Sequence, residues 1–215
     1  MVEFLTSYLV FLLSHSLPTR PAARSWLVAR LGERRFQLVY SLLSLAALAW
    51  LLTAARAAPS IALWPTAPWQ VIVALLVMPV AFMLIGIGLL VANARSISLW
   101  PTPAGWQPSG VLRRVRHPLL IGLALWAAAH VLVNGDLVGL MLFGGLGLFA
   151  LAGTRLIARR RARARHGAGE GGPERGAGGS DLGRQILAAA FGLGLFAVAL
   201  GAHPLLFGVD PLAWL

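Results

Sequence analysis

Histidines are the residues of this sequence whose chemistry and positions stand out. Five are present, and two of them, His15 and His130, lie within or at the end of apolar runs. An ionisable side chain inside lipid costs about 3 kcal/mol unless it is neutral and has a partner. A metal or cofactor satisfies the free nitrogen of a neutral imidazole better than Leu and Ala can. The alternative is a neutral histidine hydrogen-bonded to a carbonyl of a neighbouring helix.

A third candidate lies in the segment Arg113-Arg114-Val115-Arg116-His117-Pro118, at the start of an uncharged run that extends to Val133. His117 and Arg116 are therefore included among the candidate binding residues. His166 lies in an Arg- and Gly-rich segment, where water solvates it. His203 lies near the end of an apolar run, and we predict a mainly structural role for it.

Two histidines that face each other across an apolar gap suit axial ligation of haem iron. Trp126 is one helical turn before His130 and could stack on a cofactor. Small residues nearby leave room for a flat macrocycle beside this helix: Gly122, Ala127, Ala128 and Ala129. At 1.5 Å per residue, His130 is about 20 Å from His117 along one helix. The distribution of arginine places His15 on the same side of the membrane as His117, so by depth alone His15 pairs better with His117 than with His130.

Other kinds of site lack their usual residues. There is no cysteine, no His-Glu-x-x-His motif and no carboxylate within the apolar spans that could serve a zinc hydrolase. Asp136 and Asp210 lie at the ends of spans. The sequence identifies no catalytic residue.

The composition predicts an all-α integral membrane protein. Hydrophobic residues make up 58% of the chain and charged residues 12%, about half the charge of a soluble domain. The mean hydropathy is +0.78. The net charge is +11, but the arginines lie in short connections between apolar runs, which favours a lipid bilayer as the partner and argues against nucleic acid.

About six spans in a helical bundle position the candidate residues. Their predicted ranges are 4–17, 36–55, 71–92, 119–133, 137–157 and 185–207. The segment 18–35 predicts an amphipathic helix in the headgroup region, and 110–116 predicts a helix that continues into the fourth span. Asn134-Gly135-Asp136 predicts a tight turn between the fourth and fifth spans. Residues 159–183 predict a flexible Arg- and Gly-rich cytoplasmic linker.

The distribution of arginine predicts the orientation. All arginines except Arg56 belong to the first, third and fifth connections or the adjoining span ends. Positive connections remain on the cytoplasmic side, so both termini are expected outside the cytoplasm. The segments around Leu63-Trp64-Pro65 and Leu99-Trp100-Pro101 repeat each other, and we interpret both as anchors at the membrane interface.

Several short motifs together resemble the NnrU family of bacterial membrane proteins. They are His15-Ser16-Leu17-Pro18, Tyr40-Ser41-Leu42-Leu43-Ser44-Leu45, the Leu-Trp-Pro segments, and Arg116-His117-Pro118 followed by His130. The resemblance implies one domain over residues 1–215 in the bacterial inner membrane. It also implies a link to nitrite and nitric oxide reduction, for which the family was named.

The plastid relative of this family is the zeta-carotene isomerase, a haem b membrane enzyme that isomerises a polyene. The resemblance implies that His15 and His130 match its proposed haem ligands and that His117 matches its Arg-His-Pro histidine. A cysteine implicated there in switching the iron ligand is replaced by Ala127. The lipophilic polyene, or a gas ligand of the iron, is therefore an expected small-molecule partner.

Arg116-His117-Pro118 also looks like the motif with which isoprenylcysteine carboxyl methyltransferases bind S-adenosylmethionine. Those enzymes carry paired acidic residues after the following hairpin, where this chain has its Arg block and Gly-rich segment. Three hypotheses follow: a haem protein with redox, isomerase or gas-sensing chemistry; an S-adenosylmethionine-dependent methyltransferase; and a non-enzymatic factor for the assembly or expression of nitrogen-oxide reductases.

Overall fold

The predicted helical membrane bundle is confirmed by the fold. A computed structural model describes residues 1–16, 21–167 and 182–214, and this part of the chain is helical and contains no strand. Four helices within it are long and apolar enough to cross a membrane: Glu33–Ala57, Pro68–Leu90, Leu137–Arg163 and Leu182–Phe207. Two shorter apolar helices, Val2–Ser16 and Pro118–Val133, complete the six predicted apolar segments.

The helices are numbered in chain order. They are α1 Val2–Ser16, α2 Pro21–Leu31, α3 Glu33–Ala57, α4 Pro68–Leu90, α5 Val111–Arg114, α6 Pro118–Val133, α7 Leu137–Gly167 and α8 Leu182–Phe207, and the 3-10 turn Pro211–Trp214 follows α8. Each apolar helix overlaps its predicted span, because unbroken apolar runs of this length have no other stable form in lipid.

The chain divides into two compact units. The first contains Met1–Ala62 and Asp136–Val138, and the second contains Leu63–Gly135 and Gly139–Leu215. In the first unit α1 and α2 both pack against α3. Phe4 and Leu51 are fully buried there.

In the second unit α4 packs against both α6 and α8. Glycines allow the close approach of α4 and α8. A Cβ built on Gly86 would overlap the carbonyl oxygen of Ala188, and a Cβ built on Gly192 would overlap that of Phe82. Helix α7 packs against α6, where Gly147 faces Ala127 and Gly153 faces Leu120. This contact agrees with the predicted hairpin of the fourth and fifth spans.

The first Leu-Trp-Pro segment holds the C-terminal end of α6. Trp64 Nε1 donates a hydrogen bond to the carbonyl of Leu132 at 3.2 Å, and Thr66 Oγ1 donates to that of Val133 at 2.9 Å. The last carbonyls of a helix lack partners within the helix, so these side chains satisfy them.

The prediction that residues 110–116 begin a helix continuous with the fourth span is wrong. Helix α5 ends at Arg114, and His117 has φ −126° and ψ 64°, outside the helical region. The ring of Pro118 disfavours a helical conformation in the residue before it, whereas proline is well suited to the first position of a helix. A new helix therefore begins at Pro118.

Helix α7 continues to Gly167, ten residues beyond the predicted end of its span at Ile157. The predicted linker 159–183 thus overlaps α7 at its start, and its residues 168–181 lie outside the described residues.

Candidate functional site

His130 lies near the C-terminal end of α6, and its position fixes which ring nitrogen is available. Nδ1 lies 2.9 Å from the carbonyl oxygen of Trp126. A carbonyl oxygen can only accept a hydrogen bond, so the proton of the neutral ring is on Nδ1 and the lone pair is on Nε2. Within the described residues Nε2 makes no hydrogen bond. This is the arrangement in which histidine binds a metal ion.

Aromatic rings hold the His130 imidazole in place. The Trp126 ring lies 4.6 Å away between centroids, and the Phe143 ring of α7 lies 4.5 Å away. Trp126 and His130 are four residues apart on one helix, which brings their side chains to the same face as predicted. Trp126 therefore contacts the candidate ligand itself.

The predicted room for a macrocycle beside Gly122, Ala127 and Ala129 does not exist. Ala127 and Ala129 are 1% and 5% exposed. A Cβ on Gly122 would come within 2.6 Å of the Ala81 carbonyl oxygen, and one on Gly147 would come within 3.2 Å of the Ala127 Cβ. The small residues are used for close packing of α6 against α4 and α7. Of the four small residues, Ala128 alone is exposed.

His203, which the sequence analysis assigned a structural role, lies close enough to His130 for the two side chains to interact electrostatically. Its Nδ1 lies 2.8 Å from the carbonyl oxygen of Val209, so its Nε2 also carries the lone pair. Little in the sequence indicated that His203 lies near His130, because the two residues belong to helices that are distant in the chain.

His15 belongs to the first unit, where it lies in the last turn of α1. Its Nδ1 lies 2.9 Å from the carbonyl oxygen of Phe11, and the Phe11 ring is 4.0 Å from its own. The Tyr40 ring of α3 lies 6.2 Å away. His15 thus has the same tautomer as His130.

His117 lies at the opposite end of α6 from His130, about 20 Å along the helix, so the two do not form one site. It is 9% exposed, and its Nδ1 is 3.0 Å from Ser96 Oγ. Asn93, which is 2% exposed, connects the loop after α4 to this motif. Its side-chain amide donates to the carbonyl of Arg116 at 3.0 Å, and its Oδ1 accepts from the backbone N–H of Arg95 at 2.9 Å.

Burial and positive charge both act on His117. Burial lowers the pKa of its imidazole, and the charges of Arg161, Arg116 and Arg95 lower that pKa further. The ring is therefore neutral at physiological pH. Arg116 and His117 could be selected from the sequence as candidate binding residues, but Ser96 and Arg161 could not be assigned to this site, because they come from other segments of the chain.

We expect the stability of the protein to fall in mild acid because of His117. Its folded pKa lies below its unfolded pKa, so the unfolded chain takes up the proton first. The contribution of the neutral His117 ring to the free energy of unfolding is complete above about pH 6.5. It is lost as the pH falls from there towards the pKa of His117 in the folded protein. Thermal unfolding followed from about pH 7.5 to about pH 5.5 should show a steeper loss for the wild type than for His117→Gln. Parallel curves for the two proteins would show that His117 does not carry this proton linkage.

Comparison with known proteins identifies the family. A family model described as NnrU protein matches residues 3–211, nearly the whole chain. The chain belongs to the NnrU family. No curated protein and no solved structure matches the sequence significantly. With its apolar helices, the chain is a membrane protein of NnrU type, and the matched range contains His15, His117 and His130.

Proposed function

We propose that this NnrU-type membrane protein binds haem b and that His130 would hold the iron. One observation carries the proposal: the Nδ1 proton of His130 is donated to the Trp126 carbonyl, so a neutral imidazole presents the lone pair of Nε2 among aromatic and apolar side chains. Axial ligation of haem needs a neutral imidazole in such surroundings. The backbone hydrogen bond fixes the ring and makes Nε2 more basic.

The surroundings of His130 are consistent with its role as an iron ligand, and they limit where the porphyrin could lie. Close helix contacts at Gly122 and Ala127 exclude a porphyrin from that face of α6. His203 has a free Nε2 near His130. We do not assign His117 to the iron, because three arginine charges around it disfavour an added cation.

Bound haem would supply redox chemistry, gas binding or isomerisation of a lipophilic polyene. The residues of the chain contribute a fixed ligand at His130 and a rigid aromatic contact at Trp126 and Phe143. The family resemblance links this chemistry to nitrogen-oxide metabolism. Ala127 stands where the isomerase has its switching cysteine, which favours the nitrogen-oxide link over isomerisation by a ligand switch.

We further propose that the protein lies in the bacterial inner membrane with its arginine-rich connections in the cytoplasm. The support is the distribution of arginine, which is concentrated in the first, third and fifth connections. Both termini are then outside the cytoplasm.

The test is the pigment content of the protein purified in mild detergent from cells supplied with haem precursor. We expect a Soret band and the pyridine haemochromogen spectrum of haem b. A colourless protein that also fails to bind added haemin would overturn the proposal. In that event, binding of S-adenosylmethionine would support the methyltransferase alternative, and binding of neither would support the assembly factor.

A further inference from the structure

A second cluster of side chains lies at the His117 end of α6, away from His130. We call Arg95, Ser96, His117 and Arg161 the basic pocket. Ser96 connects its members: its Oγ is 3.0 Å from His117 Nδ1, and its carbonyl accepts a hydrogen bond from Arg161 Nη2 at 3.1 Å. The residues come from the loop after α4, the start of α6 and the C-terminal part of α7, so the fold brings together three distant segments.

Arg95 has donors that the described protein does not satisfy. Its Nε and Nη2 are buried and have no hydrogen-bond partner. The guanidinium carbon lies 5.8 Å from the centroid of the Trp106 ring, whose Nε1 donates to the Ala92 carbonyl at 3.0 Å. A buried charged donor without a partner is costly, and such a group in a native protein calls for a ligand or ion to satisfy it.

Within the described part of the second unit, no carboxylate forms a salt bridge with Arg95. The acidic residue described there is Asp210, which follows α8, and its Oδ1 accepts from the backbone N–H of Leu212. A salt bridge joins Arg24 to Glu33, and it lies in the first unit. Glu170, Glu174 and Asp181 lie outside the described residues.

We propose that the basic pocket binds a phosphate group, carried either by the headgroup of an anionic phospholipid or by a soluble phosphorylated ligand. A phosphate offers several acceptor oxygens, which match two guanidinium groups better than a point charge does. Basic pockets at the ends of membrane helices are suited to lipid headgroups. The neutral imidazole of His117 can donate from Nε2 when its Nδ1 accepts from the Ser96 hydroxyl. This proposal does not rest on haem binding.

The main experiment measures phosphate binding by the purified full-length protein in dodecylmaltoside. Thermal unfolding is recorded with phosphatidylglycerol, with phosphatidylcholine as the zwitterionic comparison, and separately with inorganic phosphate. We expect Arg95→Gln to weaken binding about tenfold, because it removes charge-assisted hydrogen bonds to the anion. Stabilisation by phosphatidylglycerol alone identifies a lipid as the source of the phosphate, and stabilisation by inorganic phosphate identifies a soluble ligand.

The matched control is Arg113→Gln, because Arg113 carries the same charge near the same motif but is exposed outside the pocket. It should change binding less than about twofold. Equal losses in both variants would show general attraction of lipid to positive charge and would overturn the proposal. Absence of any stabilisation of the wild type by either phosphate probe would also overturn it.

Two further variants guard against misfolding and against confusion with the haem site. If Arg95→Gln does not fold, Arg161→Gln is used, with the same expected loss of phosphate binding. Arg95→Gln should retain any haem that the wild type binds, whereas His130→Ala should retain phosphate binding. Failure of one proposal is therefore visible without failure of the other.

Discussion

Replacing His130 with alanine should remove the haem b absorption from the purified protein. The substitution deletes the imidazole whose Nε2 presents the lone pair, and the two rings that pack against it, Trp126 and Phe143, offer no ligand atom. Absorption spectra at matched protein concentration measure the effect. We expect the Soret intensity of His130→Ala to fall at least about tenfold, as loss of a metal ligand ordinarily costs.

Two controls separate loss of a ligand from loss of the fold. Adding imidazole to His130→Ala should restore part of the Soret band, since the free base can occupy the space left by the side chain. His117→Gln removes a histidine from the other end of the same helix and should retain the band. Full haem content in His130→Ala, or an equal loss in His117→Gln, would contradict the assignment.

Replacing Gly192 with valine should lower the free energy of unfolding by about 3 kcal/mol. At this position α8 lies directly against the backbone of α4, and a Cβ would overlap the carbonyl oxygen of Phe82. Backbone atoms cannot turn aside as side chains can, so the two helices must separate and lose contacts along their length. Forcing extra atoms into a well-packed contact costs about 1–3 kcal/mol.

Gly194→Val is the matched control, because it makes the same chemical change on the same helix where nothing lies within 4 Å of an added Cβ. Unfolding in mixtures of dodecylmaltoside and sodium dodecyl sulfate compares the two variants with the wild type. Equal destabilisation by both substitutions would contradict a cost that comes from the contact of α8 with α4.

The sequence was sufficient to predict the helices. Apolar runs near the length of a membrane crossing must form helices in lipid, and the ranges of α3, α4, α6 and α8 followed within a few residues. The break before Pro118 was missed, although the effect of proline on the preceding residue was a usable signal.

The packing of the helices was harder to predict, because small residues in a helix are found both beside open spaces and at close helix contacts. Gly122 and Ala127 indicate either an open slot or a place where helices touch, and the partner helices decide between them. Helices α4 and α7 occupy that space. The basic pocket could not be predicted either, because Ser96, His117 and Arg161 come from three segments whose contact leaves no periodic pattern.

On the sequence alone, a backbone hydrogen bond and a bound metal are alternatives for His130. The structure shows why they are compatible: Nδ1 donates to the Trp126 carbonyl while Nε2 makes no hydrogen bond within the described residues. When one ring nitrogen of a histidine binds a metal, the other usually donates a hydrogen bond to a carbonyl, a carboxylate or water.

The most direct measurement is hyperfine spectroscopy of the oxidised, haem-loaded protein prepared with ¹⁵N-histidine. If His130 coordinates the iron, the spectrum must show ¹⁵N couplings from histidine, and His130→Ala must lose the coupling that His130 contributes. A haem signal without coupling to histidine nitrogen, or a protein that takes up no haem, would contradict the account.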